Sequence, residues 1–395
     1  MPTLAIDGGT PVRSRPLPYG RQVIDAADIA AVVDTLQSDW LTTGPAVDRF
    51  EQAFARAVGA AHAVAVSNGT AALHAAAFAA GVGPSRGAIT TPMTFAATAN
   101  CARYLGATVT FADVEPGTLN LSTARVAAAL QPDTAAVIAV DYTGQPADLD
   151  ELRALAEGAG ALLIEDASHA LGAVYRGRPV GTIAHLTTFS LHPVKHITTG
   201  EGGVVTTNDP ELASRLRRFR NHGIETDARQ REAAGSWFYE MRDLGFNYRL
   251  TDLQCALGTS QLTHLPSWIA RRRAIAARYA GRLGGEAALE LPLVREDRDP
   301  AWHLYVVRLR LDRLRVDRGQ VFRALRAENI GVNVHYIPVP WHPYYQSLGY
   351  SRGSWPVAEE AYERLLSLPM WAGMTDTDVD DVVAAVRKVL VAYAG

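Results

Sequence analysis

ALLIEDASHALGAVYRGRPVGTIAHLTTFSLHPVKHITTGEGG, residues 161–203, is the stretch whose reading decides the fold. Ala161–Glu165 is a short apolar run of the kind that makes a buried strand, and it closes on two acids, Glu165 and Asp166. The period of two along a strand sends these two side chains to opposite faces. Leu186–Ser190 is a second such run. Lys195 follows five residues beyond Ser190, in a Gly/Thr/Pro-rich loop that continues to Gly202-Gly203. Nothing helical about that loop calls for a lysine, and loops on a rigid scaffold are where catalytic groups concentrate.

The same alternation extends in both directions. Upstream, short apolar runs at His62–Ser67, Ala88–Thr91, Thr108–Phe111 and Ala135–Asp141 predict strands. Asp25–Gln37, Val47–Val58, an Ala-rich segment from Thr70 to about Ala80, Thr123–Leu130 and Leu149–Gly158 carry helical spacing. Strands alternating with helices predict an α/β fold with a mainly parallel central sheet flanked by helices. After about residue 260 the texture changes. A long Arg-rich helix from about Pro266 to Leu283, strands at Trp302–Arg310 and Val332–Ile337, and helices at Val321–Asn329, Val357–Leu366 and Asp376–Ala392 describe a smaller C-terminal α/β domain. The expected division is therefore 1–260, a large domain with an N-terminal arm, and 261–395.

The bulk numbers exclude several classes. The chain has 395 residues, 48% hydrophobic and 20% charged, with a net charge of -3. No basic excess points to nucleic acid, and no Lys/Arg block points to a membrane surface. No apolar run reaches the roughly 20 residues of a membrane span. Two distant cysteines, Cys101 and Cys255, form neither a disulfide framework nor a metal site, so no metal is expected and a reducing cytoplasm fits. The 38 basic side chains include only two lysines, Lys195 and Lys388. Arginine cannot serve as an amine nucleophile, because its guanidinium stays protonated. Lys388, in DDVVAAVRKVLVAY, reads as an ordinary solvated helix residue.

Ligands of parallel α/β sheets sit beyond the carboxyl ends of the strands, so three strand ends carry the chemistry. Ser67-Asn68-Gly69-Thr70 joins a strand to a helix N-terminus, whose free N–H groups and partial positive charge suit either a phosphate or a plain N-cap. Asp166 is placed to cap a helix, to bind a metal, or to pair with the protonated ring nitrogen of pyridoxal phosphate. Lys195, if desolvated, can form a Schiff base with a carbonyl and then act as acid and base. Each signal is weak alone; phosphate seat, acid and lysine in this order on one sheet are a strong combination.

At these residues the chain resembles the DegT/DnrJ/EryC1/StrS family of sugar aminotransferases, a branch of the fold-type I pyridoxal-phosphate enzymes. The resemblance spans essentially the whole chain. It is carried by PYGRQ (18–22), SDWLTTGP (38–45), SHALG (168–172), FSLHPVKHITTGEGG (189–203), GFNYRLTDLQCALGTSQL (245–262) and VHYIPV (334–339). SHALG and VHYIPV point to the branch that aminates a UDP-linked 4-keto-6-deoxy sugar in pseudaminic acid biosynthesis. The resemblance implies a cofactor site of Lys195 and Asp166 with Gly69, Thr70 and Ser190 at the phosphate, Phe95 over the ring and His169 at its phenolic edge. It implies that Asn247 reaches the phosphate of a partner subunit in a homodimer. It implies that Tyr19, Ser38, Asp39, Trp40, Leu41, His335, Tyr336, Ile337 and Pro338 line the sugar-nucleotide side, with glutamate as amino donor and 2-oxoglutarate released.

Asn68 stands where serine is common in the family, and Lys195 is kept where sugar-dehydrating members carry histidine, which argues for transamination. Phe95 is either a stacking ring or core, His169 either a cofactor contact or a packed histidine, and Trp40 either a substrate wall or filling. His192 is a candidate for orienting the lysine loop. Arg13, Arg15, Arg21 and Arg249 are candidate partners for anionic substrates, Arg249 equally for a structural salt bridge. The alternatives in function are an aminotransferase for another dTDP-, GDP- or UDP-linked keto-sugar in antibiotic or polysaccharide pathways and, from another class, a pyridoxal-phosphate-binding regulator without turnover.

Overall fold

The computed structural model describes residues 3–395. A seven-stranded sheet organises the first half. Its strands are β1 (His62–Val66), β2 (Gly87–Thr90), β3 (Val109–Phe111), β4 (Thr134–Val140), β5 (Leu162–Asp166), β6 (Leu186–Ser190) and β7 (Gly203–Thr207), in the spatial order β1-β7-β6-β5-β4-β2-β3. Neighbours from β6 to β3 are parallel, and β7 alone runs against the rest. The mainly parallel α/β sheet expected from sequence is therefore present. Strand β7 escaped the sequence reading because GVVTT follows a glycine-rich loop without a helix between. It can lie beside β6 because an antiparallel neighbour needs no helical crossover.

β4 and β5 are buried on both faces, as a near-continuous apolar run in a parallel sheet requires. Helices α2 (Pro45–Val58), α3 (Gly69–Ala79) and α4 (Ala96–Tyr104) cover the sheet, while α1 (Ala26–Leu36) packs on the long Arg-rich helix. The Ala-rich composition of α3 lets it lie close over the sheet: all six of its alanines, Ala71, Ala72, Ala75, Ala76, Ala77 and Ala79, are buried, with Ala80 following at its end.

The Arg-rich helix begins earlier than the sequence suggested. α5 runs Asp252–Leu283, opened by a capping box of Thr251 and Gln254, and continues through Pro266. Residue 260, the expected division, lies inside it. Beyond it a second apolar core gathers around a three-stranded sheet of Leu289–Glu290, Tyr305–Leu309 and Leu365–Leu368, packed by the C-terminal helix Asp376–Tyr393.

Two local expectations are corrected. Val332–Ile337 is not a strand; it meets the small sheet at the bridge Asn333↔Ser367 and through the His335–Ser367 hydrogen bond, while Tyr336 reaches to His169 beyond the large sheet. Lys388 is not a solvated helix residue. Its Nζ lies 2.8 Å from Glu328 Oε1, a carboxylate whose side chain is wholly buried, and donates to Thr10 O at 2.8 Å. Glu328 also accepts from Ala5 N and Val12 N, so this pair pins the N-terminal arm to the C-terminal core. No helix among the described residues is long and apolar enough to cross a membrane.

Candidate active site

The carboxyl ends of β1, β5 and β6 open on one cavity of about 1090 Å³. Its floor is built by three turns. At the first, Asn68 caps α3, its side chain accepting from Ala71 N at 2.8 Å, which leaves the backbone of Gly69 and Thr70 facing the cavity. Gly69 lies against Ser190, where an added Cβ would come within 2.9 Å of Ser190 Cβ and 3.1 Å of its Oγ. Gly203, paired with Ser190 across the sheet, leaves as little room against the Asn68 carbonyl. The result is a narrow cradle of main-chain N–H groups and two hydroxyls at a helix N-terminus, the geometry that suits a phosphate.

At the second turn Asp166 ends β5 and is 4% exposed. Both carboxylate oxygens are held. Thr98 Oγ1 donates to Oδ2 at 2.7 Å and Ser168 Oγ to Oδ1 at 2.6 Å. Thr98 is itself linked to Thr94, one turn back at the start of α4. The neighbouring Glu165 faces the other side of the sheet and takes Thr187 Oγ1 at 2.8 Å. The opposite-face expectation for the two acids is met.

At the third turn, after β6, Lys195 stands half-buried on the cavity wall. Burial pushes its ammonium down to about 8, although Asp166 pulls the other way. Its Nζ lies 3.5 Å from Nε2 of His303, a residue no sequence motif singled out. His303 stacks near His169, with ring centroids 4.4 Å apart, and His169 Nε2 meets Tyr336 OH at 3.0 Å. Burial, and after it the charge of Lys195, holds both histidines well below the ordinary imidazole range, so both are neutral. The Nδ1 atoms of His169 and His303 are buried without a hydrogen-bond partner, an arrangement that asks for a ligand atom or water.

The cavity gathers much of what the sequence nominated: Tyr19, Gly69, Thr70, Phe95, Asp166, His169, Ser190, His192, Lys195, His335 and Tyr336 all line it. Phe95 is not core; it is 61% exposed at the head of α4, with its ring 6.2 Å from that of Tyr336. His335 is fixed by Ser367 Oγ at 2.8 Å and faces the Tyr19 ring.

Other nominated residues are not on this wall. Ser38, Asp39, Trp40 and Leu41 are exposed beside the N-terminus of α5, where Leu41 O accepts from Asp252 N. Ile337 is exposed and Pro338 buried, both off the cavity. Asn247 is exposed and bridges Asn221. Arg249 makes no salt bridge among the described residues; it donates to Asn221 Oδ1 at 2.8 Å. Arg13 is committed to Asp378 and Asp381, away from the site. Sequence reading missed Thr94, Thr98, Ser168 and His303. Thr94 and Thr98 stand four apart, the spacing that shares a helix face, and Ser168 sits two beyond Asp166; those signals were available. His303 had none, lying 108 residues from Lys195.

A family model described as the DegT/DnrJ/EryC1/StrS aminotransferase family matches residues 22–387. The spore coat polysaccharide biosynthesis protein SpsC of Bacillus subtilis is 43% identical over 381 residues, covering 96% of this chain and 98% of that protein. Among solved structures, Spr1654 of Streptococcus pneumoniae, assigned as a sugar aminotransferase and seen in its PMP form, superposes with a TM-score of 0.90 at 29% identity, covering 95% of this chain and 99% of that one. Helicobacter pylori PseC, an aminotransferase involved in the biosynthesis of pseudaminic acid, superposes with a TM-score of 0.88 at 29% identity, covering 96% and 100%.

Proposed function

Because the chain belongs to the DegT/DnrJ/EryC1/StrS aminotransferase family, we propose that it transfers the amino group of glutamate to the 4-keto carbon of a UDP-linked 4-keto-6-deoxy sugar, as pseudaminic acid biosynthesis requires. The cofactor is pyridoxal phosphate, and when bound it supplies an electron sink that makes hydrogen on the neighbouring carbon labile. One observation carries the reading: the amine of Lys195, the doubly held carboxylate of Asp166 and the narrow cradle at Gly69 converge on a single cavity.

The residues fit a flat, phosphorylated, nitrogen-bearing ring. The cradle of Gly69, Thr70 and Ser190 takes the phosphate. Asp166, kept in place by Thr98 and Ser168, would pair with the ring nitrogen and keep it protonated. Phe95 offers its exposed face to the ring. The unpartnered Nδ1 of His169 serves the phenolic edge. Lys195 would hold the cofactor through its amine, and once free that amine would be the group that takes up and returns the proton in the cavity. A depressed amine suits that exchange, since a base works best when its pKa lies near the working pH. Tyr19, His335 and Tyr336 form the sugar side. Asn247, Ser38, Asp39, Trp40, Leu41, Ile337 and Pro338 lie off this cavity, and in our reading the first five act across a homodimer in the cytoplasm. Residues 1–260 form the cofactor unit and 261–395 the smaller one.

A second reading has an observation of its own. SpsC, at 43% identity, is named for polysaccharide biosynthesis, which favours another nucleotide-linked keto-sugar bound for a polymer. One experiment separates the two: incubation with pyridoxal phosphate, glutamate and a panel of UDP-, dTDP- and GDP-linked keto-sugars, with products identified by mass and NMR. The UDP sugar is expected to be aminated, and Lys195→Ala to lose at least about a thousandfold in turnover. Undiminished amination by that variant would remove the mechanism.

A further inference from the structure

His303 is held with unusual care. Trp302, just before it, sits at φ +53°, a left-handed conformation that a bulky residue enters only when its surroundings impose it. On one side, Gly144 passes so close that a Cβ there would meet Trp302 N at 2.8 Å and His303 N at 3.0 Å. On the other, Arg272, 1% exposed, donates through Nη1 to the carbonyls of Trp302 at 3.1 Å, His303 at 3.4 Å and Met370 at 3.2 Å. Arg272 makes no salt bridge to a carboxylate among the described residues. A buried arginine without a counter-charge is costly, and here it is spent on two adjacent carbonyls of one loop. That loop delivers His303 Nε2 to within 3.5 Å of Lys195 Nζ.

Resting on the reading of Lys195 as the reactive amine, we propose that His303 is its positioning residue: neutral Nε2 accepts a hydrogen bond from Nζ and holds the amine at the cavity wall whenever it is not bonded to cofactor. In this tautomer Nδ1 carries the hydrogen, and Nδ1 is the atom left unpartnered. The 3.5 Å separation is long, as such bonds commonly are before substrate is bound. The other charged and titratable groups around the amine are Asp166, Arg272, His169, His196 and His335. Burial keeps the three histidines neutral, so among these imidazoles the one within reach of Nζ governs the local hydrogen bonding.

The chain's two lysines make a direct test possible. Labelling with ¹³Cε-lysine gives two resonances in the full-length protein without cofactor, and Lys388→Arg assigns them. An acceptor favours the charged amine, so losing it lowers the Lys195 pKa. His303→Asn, too short to reach Nζ, is expected to lower it by about 1 unit, the scale of a hydrogen bond to a charged group. His303→Gln, which carries an acceptor to the position of Nε2, is expected to titrate within about 0.3 unit of the parent. An Asn variant that titrates like the parent, or a Gln variant that behaves like Asn, overturns the proposal. If His303→Asn does not fold, the Gln variant decides alone: retention supports the proposal and a shift of about 1 unit overturns it. A parent enzyme that aminates none of the sugars would defeat the proposed function and leave this titration standing.

Discussion

Replacing Gly69 by alanine should cripple cofactor binding while leaving the fold intact. The new Cβ would sit 2.9 Å from Ser190 Cβ, 3.1 Å from Ser190 Oγ and 3.4 Å from Ser190 Cα. Ser190 cannot retreat easily, because it is the last residue of β6 and is paired with Gly203 on β7. Overpacking of this kind costs about 1–3 kcal/mol. Gly69 has no left-handed φ, so alanine brings no backbone strain, and its better helix propensity offsets up to about 1 kcal/mol in overall stability. The penalty then falls chiefly on the cradle, whose Ser190 hydroxyl must swing aside and whose mouth narrows by a methyl group. At about 1.4 kcal/mol per decade, the affinity for pyridoxal phosphate should fall about 10- to 100-fold. The assay is titration of the cofactor-free protein by absorbance, beside pyridoxal lacking the phosphate. Pyridoxal should bind parent and variant alike. Gly83→Ala, at a position where the added carbon meets nothing within 4 Å, is the control. A Gly69→Ala protein that binds pyridoxal phosphate as tightly as the parent would refute the placement of the phosphate.

Two further outcomes concern stability. Lys388→Met should destabilise by about 2–3 kcal/mol in urea unfolding, somewhat less than for a fully buried pair because the ammonium keeps some contact with solvent; an unchanged midpoint would mean that the arm is not anchored there. Burial, and then the charge of Glu165, raises the Asp141 carboxyl well above its ordinary 3.8, so the folded chain keeps a proton that the unfolded chain releases, and this source of stability is full at low pH and lost as pH rises through the folded-state value. Asp141→Asn keeps a donor toward Glu165 without the titration and should be about 1 kcal/mol more stable than the parent at pH 8, with a flatter pH profile; a steeper one would show that Asp141 is not the group that titrates.

The large sheet was legible because its strands are apolar runs whose ends carry the polar residues, and β5 and β6 could be read almost to the residue. Lys195 was legible for a different reason: one of only two lysines, in a loop, it had no structural excuse. What stayed hidden depended on distance along the chain. His303 acquires its place from Arg272, Gly144 and a left-handed Trp302, none of which marks its sequence neighbourhood. Lys388 sits in a regular amphipathic helix, and only the fold brings the wholly buried Glu328 and the N-terminal arm against it. Val332–Ile337 has the alternation of a strand. Its burial does not follow that alternation: Val332 and His335, three apart, are buried while Tyr336 reaches across to His169.

The composition of the cavity wall bears on the assembly. Its described residues include one lysine and no arginine, and His169, His303 and His335 on it are held neutral by burial. On the proposed reading, a nucleotide-linked sugar would bring a diphosphate and glutamate two carboxylates, and positive groups from beyond this wall would have to meet them. Beside the exposed Asn247 stands Arg249, whose guanidinium among the described residues meets a neutral amide oxygen, Asn221 Oδ1, and no carboxylate. The same stretch leaves Trp237 at 86%, Leu244 at 79% and Met241 at 64% exposure, an apolar patch that asks to be covered. A second copy of the chain that buried this patch would lie next to Arg249 and Asn247. The same contact would then satisfy the exposed aromatics and set that charge at the subunit boundary, and that is the physical case for a site shared between two subunits.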